Sequence, residues 1–471
     1  MIGASNCLPD ALPMNAPLPP KLHAVDAAFV MRRAERLPRY TSYPTANHFR
    51  GDITPDLYRS WLGEMPEHAA MSLYLHIPFC ESMCWYCACS TKATKRYAPV
   101  AKYLETLKAE IETVSGLIPT SHRLTHLHWG GGSPDILVPD DIRRLGGWLR
   151  ERFNLTPDTE FAIEVDPRLM TAEKADALVE IGVNRISIGV QDFDEQVQAG
   201  IGRMQSYAVS KAAVDMFRKR GVGSINMDLV YGLPYQTEDT MLRTIDRVLS
   251  LAPDRIAIFG YAHLPQRAHN QRLINEAALP GAMDRYTMSN SLIQVLHEAG
   301  YVQRGIDHFA RADDSLATEP LNRNFQGYTT DAADYLIGLG ATSIGKMPQG
   351  YVQNAVAVGD YTTRIETQGL ATAKGHVMTD DDRLRAFVIE RIMCDFAFSS
   401  DAVRTAFGEA GETVIAQAFE TLADDTDGIL EATADGFRLT PLGRPFVRSI
   451  CARFDAHLTP EPGVTRHSMA I

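Results

Sequence analysis

The chain has 471 residues, enough for one large α/β domain with additions or for two or three domains. Hydrophobic residues make up 45%, and no uninterrupted apolar run reaches the roughly 18 residues of a membrane helix, so we expect a soluble protein with no membrane segment. The formal net charge of -12 argues against a general nucleic-acid surface, because phosphate binding needs concentrated Lys and Arg.

Residues 1–69 are predicted to form an amino-terminal arm. Residues 1 to about 28 are rich in Pro, Ala and Leu without periodicity, which predicts a flexible start, and they suit neither a secretory signal nor a transit peptide. Arg32, Arg33, Arg36 and Arg39 then precede the segment RYTSYPTANHF. These arginines either lie on a solvated helix end or belong to an arm that covers an active site and offers its arginines to carboxylates.

Four cysteines follow a predicted buried strand that Pro78 ends: Cys80, Cys84, Cys87 and Cys89. The spacing C-x3-C-x2-C of the first three can place three thiolates around one iron-sulfur cubane and leave one iron without a protein ligand. A structural zinc site is the alternative, but the second distant ligand pair of such sites is missing. Disulfides are disfavoured, since the composition and the absence of a leader predict a reducing cytoplasm.

From residue 72, strand-like and helix-like segments alternate. The pattern predicts helices between six strands, at residues 72–77, 124–129, 160–165, 184–190, 224–230 and 255–260. Six βα units in succession predict a parallel sheet that curves into a full or partial barrel, within a unit of residues 70–370.

Polar or glycine residues stand at the carboxyl end of each predicted strand, the face on which barrel active sites lie. They are Cys80, the run Gly130, Gly131, Gly132 and Ser133, then Glu164 and Asp166, Gln191, Asp228, Tyr261 and His263. Glycine backbone can approach a ligand closely, and strand-end acids can accept hydrogen bonds from ribose hydroxyls or an ammonium. The alternative roles are a tight turn for the glycines, and helix capping or pairing with Arg168 or Arg203 for Glu164 and Asp228.

After residue 264 the alternation ends. The block LNRNFQGYTT (321–330) predicts either a polar lining with aromatic walls or a surface loop. Residues 371–471 are predicted to be mostly helical, with helices at about 379–394, 400–407 and 411–424, a hairpin turned at Asp435-Gly436, and a final helix opening at Thr440-Pro441. Between Thr379 and Thr440, 14 Asp or Glu stand against 5 Arg and no Lys, so a DNA-binding winged helix is disfavoured.

With these motifs in view, the chain resembles the oxygen-independent coproporphyrinogen III dehydrogenases, also called oxidases, of the radical S-adenosylmethionine (SAM) superfamily. The likeness covers almost the whole chain, from RYTSYPT through YLHIPFCESMCWYCAC, LHWGGGSP, IEVDPR, GVQDF, NMDLVYGLP, GYAHLP, IDHFA and NFQGYTT to ICARFD. It implies a radical SAM (βα)6-type partial TIM barrel, an arm over the site and a mostly helical carboxyl-terminal domain.

The resemblance also implies residue roles. Cys80, Cys84 and Cys87 would hold one 4Fe-4S cluster, while Cys89 would serve catalysis without being a ligand. Contacts to the SAM molecule on the cluster would come from Tyr74, Gly131, Glu164 and Ile344. Contacts to a second SAM molecule would come from Tyr86, Gly132, Ser133, Gln191, Arg203, Asp228 and Ala262. Strand order places Tyr74 and Glu164 beside the cysteine loop, and Gln191, Arg203 and Asp228 farther round the barrel.

The implied reaction is the oxidative decarboxylation of two propionates of coproporphyrinogen III to vinyl groups, which gives protoporphyrinogen IX in haem biosynthesis. It requires an electron donor for the cluster and an electron acceptor, and we expect a monomer. Two alternatives stay open: a haem-binding chaperone related to this family, and a radical enzyme that acts differently on a tetrapyrrole. The chaperones usually lack the cysteine found here as Cys89, and this chain also has the RYTSYPT and NFQGYTT segments.

Overall fold

A computed structural model describes residues 25–458, so most of the predicted flexible start lies outside the described residues. The strands are β1 (Ala70–Ile77), β2 (Phe79–Cys80), β3 (Lys92–Ala93), β4 (Arg123–Gly131), β5 (Glu160–Val165), β6 (Arg185–Gln191), β7 (Ser224–Tyr231), β8 (Arg255–Gly260), β9 (Tyr301–Arg304), β10 (His308–Arg311), β11 (Asn322–Asn324), β12 (Gly327–Thr329), β13 (Tyr335–Leu339), β14 (Ile344–Met347), β15 (Gly350–Asn354), β16 (Thr372–Val377), β17 (Ala397–Ser399), β18 (Leu430–Ala432) and β19 (Gly436–Leu439).

The α-helices alternate with the strands of the first half and dominate the last eighty described residues. They are α1 (Ala27–Arg33), α2 (Pro55–Gly63), α3 (Ala98–Ser115), α4 (Pro139–Arg152), α5 (Ala172–Glu180), α6 (Glu195–Gly200), α7 (Tyr207–Arg218), α8 (Glu238–Ser250), α9 (Ala282–Glu298), α10 (Ser315–Thr318), α11 (Val358–Gln368), α12 (Asp380–Asp395), α13 (Ser400–Phe407), α14 (Glu412–Ala423) and α15 (Val447–Ala452).

Six parallel strands form the centre of one large sheet, in the order β1-β4-β5-β6-β7-β8. This confirms the six predicted βα units and the partial barrel. The sheet continues on both sides, through β13 to β16 beside β1 and through β10 and β9 beside β8, to twelve strands. Sequence alternation did not indicate these flanking strands, which are four to six residues long.

The two faces of the central strands differ in burial. Along β6 and β7, fully buried residues such as Ile186, Ile188 and Ile225 alternate with half-exposed ones such as Asn226 and Asp228. Because side chains alternate between the faces of a strand, one face packs under the helices while the other lines an open interior. Among residues 25–458, no helix is both long and apolar enough to cross a membrane.

The mostly helical unit follows the large sheet directly. The sequence places its start at residue 371, whereas β16 (Thr372–Val377) still pairs with β15, so we propose that the helical domain begins after Val377. Thr379 and Asp382 form a capping box at the start of α12, the strong helix start that the sequence predicts. The final helix begins at Val447 and not at Thr440-Pro441, because a turn at residues 441–443 and a 3-10 helix, Arg444–Phe446, come first.

The amino-terminal arm is anchored in the carboxyl-terminal domain by two buried tyrosines. Tyr40 and Tyr43, both 3% exposed, join the apolar cluster formed by the helices of that domain. The Tyr40 hydroxyl donates to Asp455 at 3.1 Å, and the Ala456 N–H donates to the Tyr43 hydroxyl at 2.9 Å. The RYTSYPT segment of the arm and residues 455–456 near the carboxyl end therefore bind each other.

The LNRNFQGYTT block contains a hairpin, β11 with β12, and is not a loose surface loop. Arg323 on it donates to the carbonyl oxygens of Arg39 and Tyr40 at 3.1 and 3.0 Å, and its guanidinium lies 4.2 Å from the centre of the Tyr328 ring. Tyr328 is buried and donates to the Met393 carbonyl. The hairpin thus links the arm to α12.

A buried carboxylate joins the sheet to the carboxyl-terminal residues. Asp382 accepts hydrogen bonds from His376 on β16 at 2.9 Å and from His457 at 2.7 Å. Although burial opposes ionisation, these hydrogen bonds and those from Thr379 hold the pKa of Asp382 well below its usual range. The distances are those of hydrogen bonds, so we interpret the His-Asp-His group as a latch and not as a metal centre.

We expect Asp382→Asn to lower the free energy of unfolding by about 1–3 kcal/mol, because it leaves buried donors poorly paired. Since the folded pKa is depressed, the contribution is fully present above the unfolded pKa of about 4 and is lost as the pH falls below it. Chemical denaturation at pH 7 and at several pH values stepped down from 4 measures the effect, because the contribution is lost between the unfolded and the folded pKa of Asp382. Asp380→Asn, at an exposed position of the same helix turn, is the matched control and should change stability little. A destabilisation by Asp382→Asn no larger than that of the control would contradict the latch.

Candidate active site

The cysteine loop is closed at its base by a short parallel pair of strands. β1 leads into Pro78, and β2 then pairs with β3, with Phe79 opposite Lys92 and Cys80 opposite Ala93. Residues 81–91 between them have no regular structure. Because β1 ends at the carboxyl end of the parallel sheet, the loop lies on the face predicted for the active site.

Each of the first three thiols has a hydrogen-bond donor close by. The Ser133 hydroxyl lies 3.6 Å from Cys80 Sγ, an Nη of Arg203 lies 3.4 Å from Cys84 Sγ, and the Cys89 N–H donates to Cys87 Sγ at 3.4 Å. Hydrogen bonds from Cys89 lower the pKa of the Cys87 thiol. The Cys89 side chain itself is exposed.

The glycine run after β4 permits contacts that no Cβ would allow. A Cβ on Gly130 would lie 2.7 Å from a Glu164 carboxylate oxygen, and a Cβ on Gly132 would lie 2.4 Å from the Phe79 carbonyl oxygen. Gly131 has φ +111° and its N–H donates to Glu164 at 3.2 Å. The run therefore allows the end of β4 to lie directly against Glu164 and the cysteine loop.

Tyr74 and Glu164 belong to a polar network beside this loop. The Tyr74 hydroxyl lies 3.0 Å from His76 Nδ1, and His76 Nε2 lies 2.9 Å from the Ser90 carbonyl oxygen. A carbonyl can only accept, so Nε2 donates and Nδ1 accepts from Tyr74; burial, which lowers the pKa of His76, favours this neutral form. His128 stacks on Tyr74 and lies 3.3 Å from the Glu164 carboxylate.

Sequence reasoning missed His76 and His128. Their position along the strands could have indicated them, because each stands two residues from another inward-facing residue. In addition, Tyr74 pairs with His128 in the register of β1 and β4. The Glu164 side chain remains 40% exposed, so its carboxylate is accessible to a ligand.

Arg203 lies closer to the cysteine loop than strand order predicts. Besides Cys84, its guanidinium contacts Asp166 at 3.4 Å and donates to the Gly189 carbonyl at 2.9 Å. Asp166 also binds Arg168 at 2.6 Å. Both arginines thus pair with Asp166, and not with Glu164 or Asp228 as the alternative role of those two acids required.

Gln191 and Asp228 lie on neighbouring strands. Gln191 follows a bulge in β6 and has φ +68°, and a Cβ on Gly189 would lie 2.8 Å from its amide nitrogen. Asp228 accepts from Ser187 at 2.8 Å and from Asn226 at 2.7 Å. Burial raises the pKa of Asp228 above its usual range, and the charge of Glu164 adds to the rise.

Tyr86 and Ala262 are joined by a residue that the sequence did not indicate. The side-chain amide of Gln271 donates to the carbonyl of Tyr86 at 2.7 Å and to that of Ala262 at 3.1 Å. The adjacent Asn270 amide donates to the carbonyls of Cys84, Trp85 and Cys87, at 2.9, 3.1 and 2.8 Å. The loop is thus held from a segment almost 190 residues away.

Ile344 lies at the start of β14, on the other side of β1. A Cβ on Gly338 would lie 2.8 Å from the Ile344 carbonyl, and Gly338 in turn pairs with Tyr74. The backbone of Ile344 on β14 is therefore separated from Tyr74 on β1 by the single strand β13.

The arm arginines have different environments. Arg33 pairs with Asp427 of the carboxyl-terminal domain at 2.6 Å, and Arg32 pairs with the same carboxylate at 3.5 Å. Arg39 donates to the Gly260 carbonyl, at the carboxyl end of β8, at 2.9 Å. Arg36 is exposed. Arg32 and Arg33 thus attach the arm, while Arg39 reaches the barrel.

The donor set fits an iron-sulfur cluster. Three thiols lie on one short loop, and each has a nearby hydrogen-bond donor that suits a thiolate. The carboxylates available to a bound ligand are those of Glu164, which is 40% exposed, and of the half-buried Asp228. Soft sulfur ligands favour iron-sulfur clusters or zinc. His76 reaches this loop, but its Nε2 bonds to the Ser90 carbonyl and its Nδ1 to the Tyr74 hydroxyl, so both ring nitrogens are already used and the zinc alternative gains no ligand from it.

Comparison with known proteins defines the class. The Radical SAM superfamily model matches residues 74–248, and the HemN C-terminal domain model matches residues 378–446. The chain therefore contains a radical SAM barrel, and membership of that superfamily implies a 4Fe-4S cluster and SAM.

Relatives over the full length narrow the class to a family. The oxygen-independent coproporphyrinogen III oxidase of Bradyrhizobium diazoefficiens is 47% identical, over 93% of this chain and 98% of the relative, and that of Paracoccus denitrificans is 42% identical, over 93% and 97%. The structure of coproporphyrinogen III oxidase (HemN) from Escherichia coli, a radical SAM enzyme, superposes with a TM-score of 0.85 at 36% identity, covering 90% of this chain and all of that one. The chain belongs to the family of oxygen-independent coproporphyrinogen III oxidases, which confirms the resemblance.

We expect Cys84→Ser to retain little or no iron after anaerobic reconstitution, whereas Cys89→Ser should retain as much as the unmodified protein. The reason is that three thiolates complete a cluster with one open iron, and Cys89 is exposed beside them. Iron and sulfide per chain, with the electron paramagnetic resonance (EPR) signal of the reduced protein, measure the difference. Cys394→Ser, at a buried cysteine in α12, controls for the loss of a thiol elsewhere. Loss of iron in Cys89→Ser with retention in Cys84→Ser would reverse the assignment.

Proposed function

We propose that this protein converts two propionate side chains of coproporphyrinogen III to vinyl groups without oxygen, and so forms protoporphyrinogen IX. The observation that carries the proposal is the set of three donor-supported thiols at the mouth of a radical SAM barrel, in a chain that matches the coproporphyrinogen oxidases over almost its full length.

We propose Cys80, Cys84 and Cys87 as the cluster ligands. When bound, the cluster and SAM supply the radical chemistry that breaks the C–H bond at the propionate β-carbon, which no side chain can acidify. Arg203 stabilises the thiolate of Cys84 by its charge and fixes the side of the loop that faces β6.

The two SAM molecules would be held by different groups of residues. Glu164, accessible and supported by the Gly131 N–H, suits the ammonium group of a cluster-bound molecule. Tyr74 on β1 and Ile344 on β14 would contact the same molecule from the other side of β4. Asp228, with Gln191 on the next strand, suits the ribose hydroxyls of a second molecule. Tyr86, Gly132, Ser133, Arg203 and Ala262 line the space between, and the arm would exclude water.

Arg39 is the arm residue that we propose for a substrate carboxylate. It lies at the Gly260 carbonyl, where β8 opens to the barrel mouth, and the charges of Asp307 and Arg323 act on it there. A hydrogen-bonded guanidinium at this place suits a propionate, whereas Arg32 and Arg33 already serve Asp427.

The proposed setting is the cytoplasm, because thiolates and a reduced cluster need a reducing environment. We propose a monomer that takes electrons for the cluster from a separate donor and passes electrons from the substrate to a separate acceptor. A role on nucleic acid or membranes is not proposed, since the net charge is -12.

The test of the function is anaerobic incubation of the reconstituted protein with a reductant, SAM and coproporphyrinogen III. We expect two molecules of CO2 and two vinyl groups for each substrate consumed. Cleavage of SAM without vinyl product would instead favour the chaperone or the differently acting enzyme.

Asp228→Ala should separate the two cofactor sites. It removes an acceptor suited to ribose hydroxyls, at a cost of about 1–3 kcal/mol, so SAM binding under anaerobic conditions should fall from two molecules towards one. Glu164→Ala should instead weaken the molecule on the cluster. Equilibrium dialysis measures both, and Asp194→Ala, at the start of α6, is the control. A single SAM molecule in the unmodified protein would remove the second site.

Arg39→Gln should raise KM for coproporphyrinogen III by roughly tenfold, since it removes a charged hydrogen bond to a carboxylate. Its SAM cleavage in the absence of substrate should stay near normal. Arg32→Gln, on the same arm but paired with Asp427, is the matched control and should leave KM unchanged. Equal KM values for the two variants would remove Arg39 from the substrate site.

A further inference from the structure

The backbone of the cysteine loop forms few hydrogen bonds within the loop itself. Residues 82–89 form neither helix nor strand, and the backbone hydrogen bond within the ligand segment joins the Cys87 N–H to the Cys84 carbonyl at 3.3 Å. A half-buried irregular segment must satisfy its carbonyl groups elsewhere, because an unpaired buried carbonyl costs free energy.

Two consecutive side chains supply these partners. The Asn270 side-chain amide donates to the carbonyls of Cys84, Trp85 and Cys87, and the Gln271 side-chain amide donates to that of Tyr86. One dipeptide therefore holds four consecutive carbonyls. Gln271 is fully buried, and its side-chain oxygen accepts from the Leu264 N–H at 2.6 Å, which fixes the orientation of its amide.

The Asn270-Gln271 dipeptide is itself fixed by the hydrogen bonds of a 3-10 helix. It lies in a one-turn 3-10 helix, His269–Leu273, that follows β8, and the Gln271 N–H donates to the Ala268 carbonyl at 2.9 Å. The second bond of the Gln271 amide, to Ala262, ties the same turn to the end of β8. The cysteine loop and the segment proposed for the second cofactor thus share one support.

We propose that Asn270 and Gln271 are positioning residues that hold the cysteine loop in its cluster-binding conformation before the cluster is present. The inference rests on the proposed assignment of Cys80, Cys84 and Cys87 as ligands. The hydrogen bonds that both side chains donate go to carbonyl oxygens of the backbone. They act through the carbonyls, fixing the backbone from which Cys84 and Cys87 project. Preorganisation of this kind lowers the ordering cost of ligand binding.

The first test uses the protein without its cluster. Asn270→Asp keeps the shape of the side chain but replaces its donors with a charged acceptor against three carbonyls. We expect hydrogen–deuterium exchange of the amides at 84–90 to speed up by about tenfold or more, while the strands β4 to β7 exchange as before. Asn275→Asp is the same substitution on the same segment, where the Asn275 side chain bonds to the Tyr235 hydroxyl and to the Ala277 N–H. It should change neither region.

The second test concerns the cluster. After reconstitution, Asn270→Asp and Gln271→Glu should lose iron to a chelator about tenfold faster than the unmodified protein and Asn275→Asp, and the EPR signal of the reduced cluster should broaden. If Asn270→Asp does not fold, Asn270→Ser, which keeps a donor and adds no charge, is measured instead and should lie between. These readouts require no turnover, so they are independent of the proposed reaction.

Unchanged loop exchange in Asn270→Asp, or faster loop exchange with unchanged iron loss, would overturn the positioning role. Failure of the unmodified protein to bind any iron would instead contradict the proposed ligands.

Discussion

If Cys80, Cys84 and Cys87 bind the cluster, as we propose, an irregular loop has to present three sulfur atoms to it, and the rest of the site depends on how that loop is held. Regular structure does not suit this task. In a strand, Cys87 would face away from Cys80 and Cys84, and in a helix the three would share one face but Cys80 and Cys87 would lie about 10 Å apart along the axis. The loop therefore draws its hydrogen bonds from other elements. β3 closes its base, His76 binds Ser90, and the Asn270-Gln271 dipeptide binds its carbonyls.

Close backbone approach is the second consequence of this arrangement. The run from Gly130 to Gly132 has no side chains because Glu164, His76 and the Phe79 carbonyl occupy the places where Cβ atoms would lie. The glycines that the sequence suggested for contact with a ligand are thus already required by the protein itself. Their two roles agree, since a strand end pressed against the cysteine loop also lies at the cofactor site.

The sequence predicted what periodicity and strand order encode: the six parallel strands, their helices, and the gathering of strand-end residues at one mouth. It did not predict β13 to β16, where short strands and close-packed glycines such as Gly338 and Gly345 obscure the alternation. It also missed Asn270 and Gln271, because an amide that binds a backbone almost 190 residues away leaves no local pattern. Arg203 was placed too far from the cluster, since strand order does not describe the reach of a long side chain.

Charge explains how an acidic protein can receive a substrate with four carboxylates. Asp427 of the acidic carboxyl-terminal domain pairs with Arg32 and Arg33, so this negative charge holds the arm in place. Asp382 is likewise consumed in the latch with His376 and His457. The arm that these contacts fix carries Arg39 to the end of β8, and Arg323 holds the backbone on which Arg39 stands. Acidic groups outside the barrel therefore position positive charge at its mouth, where we propose that Arg39 binds a substrate carboxylate.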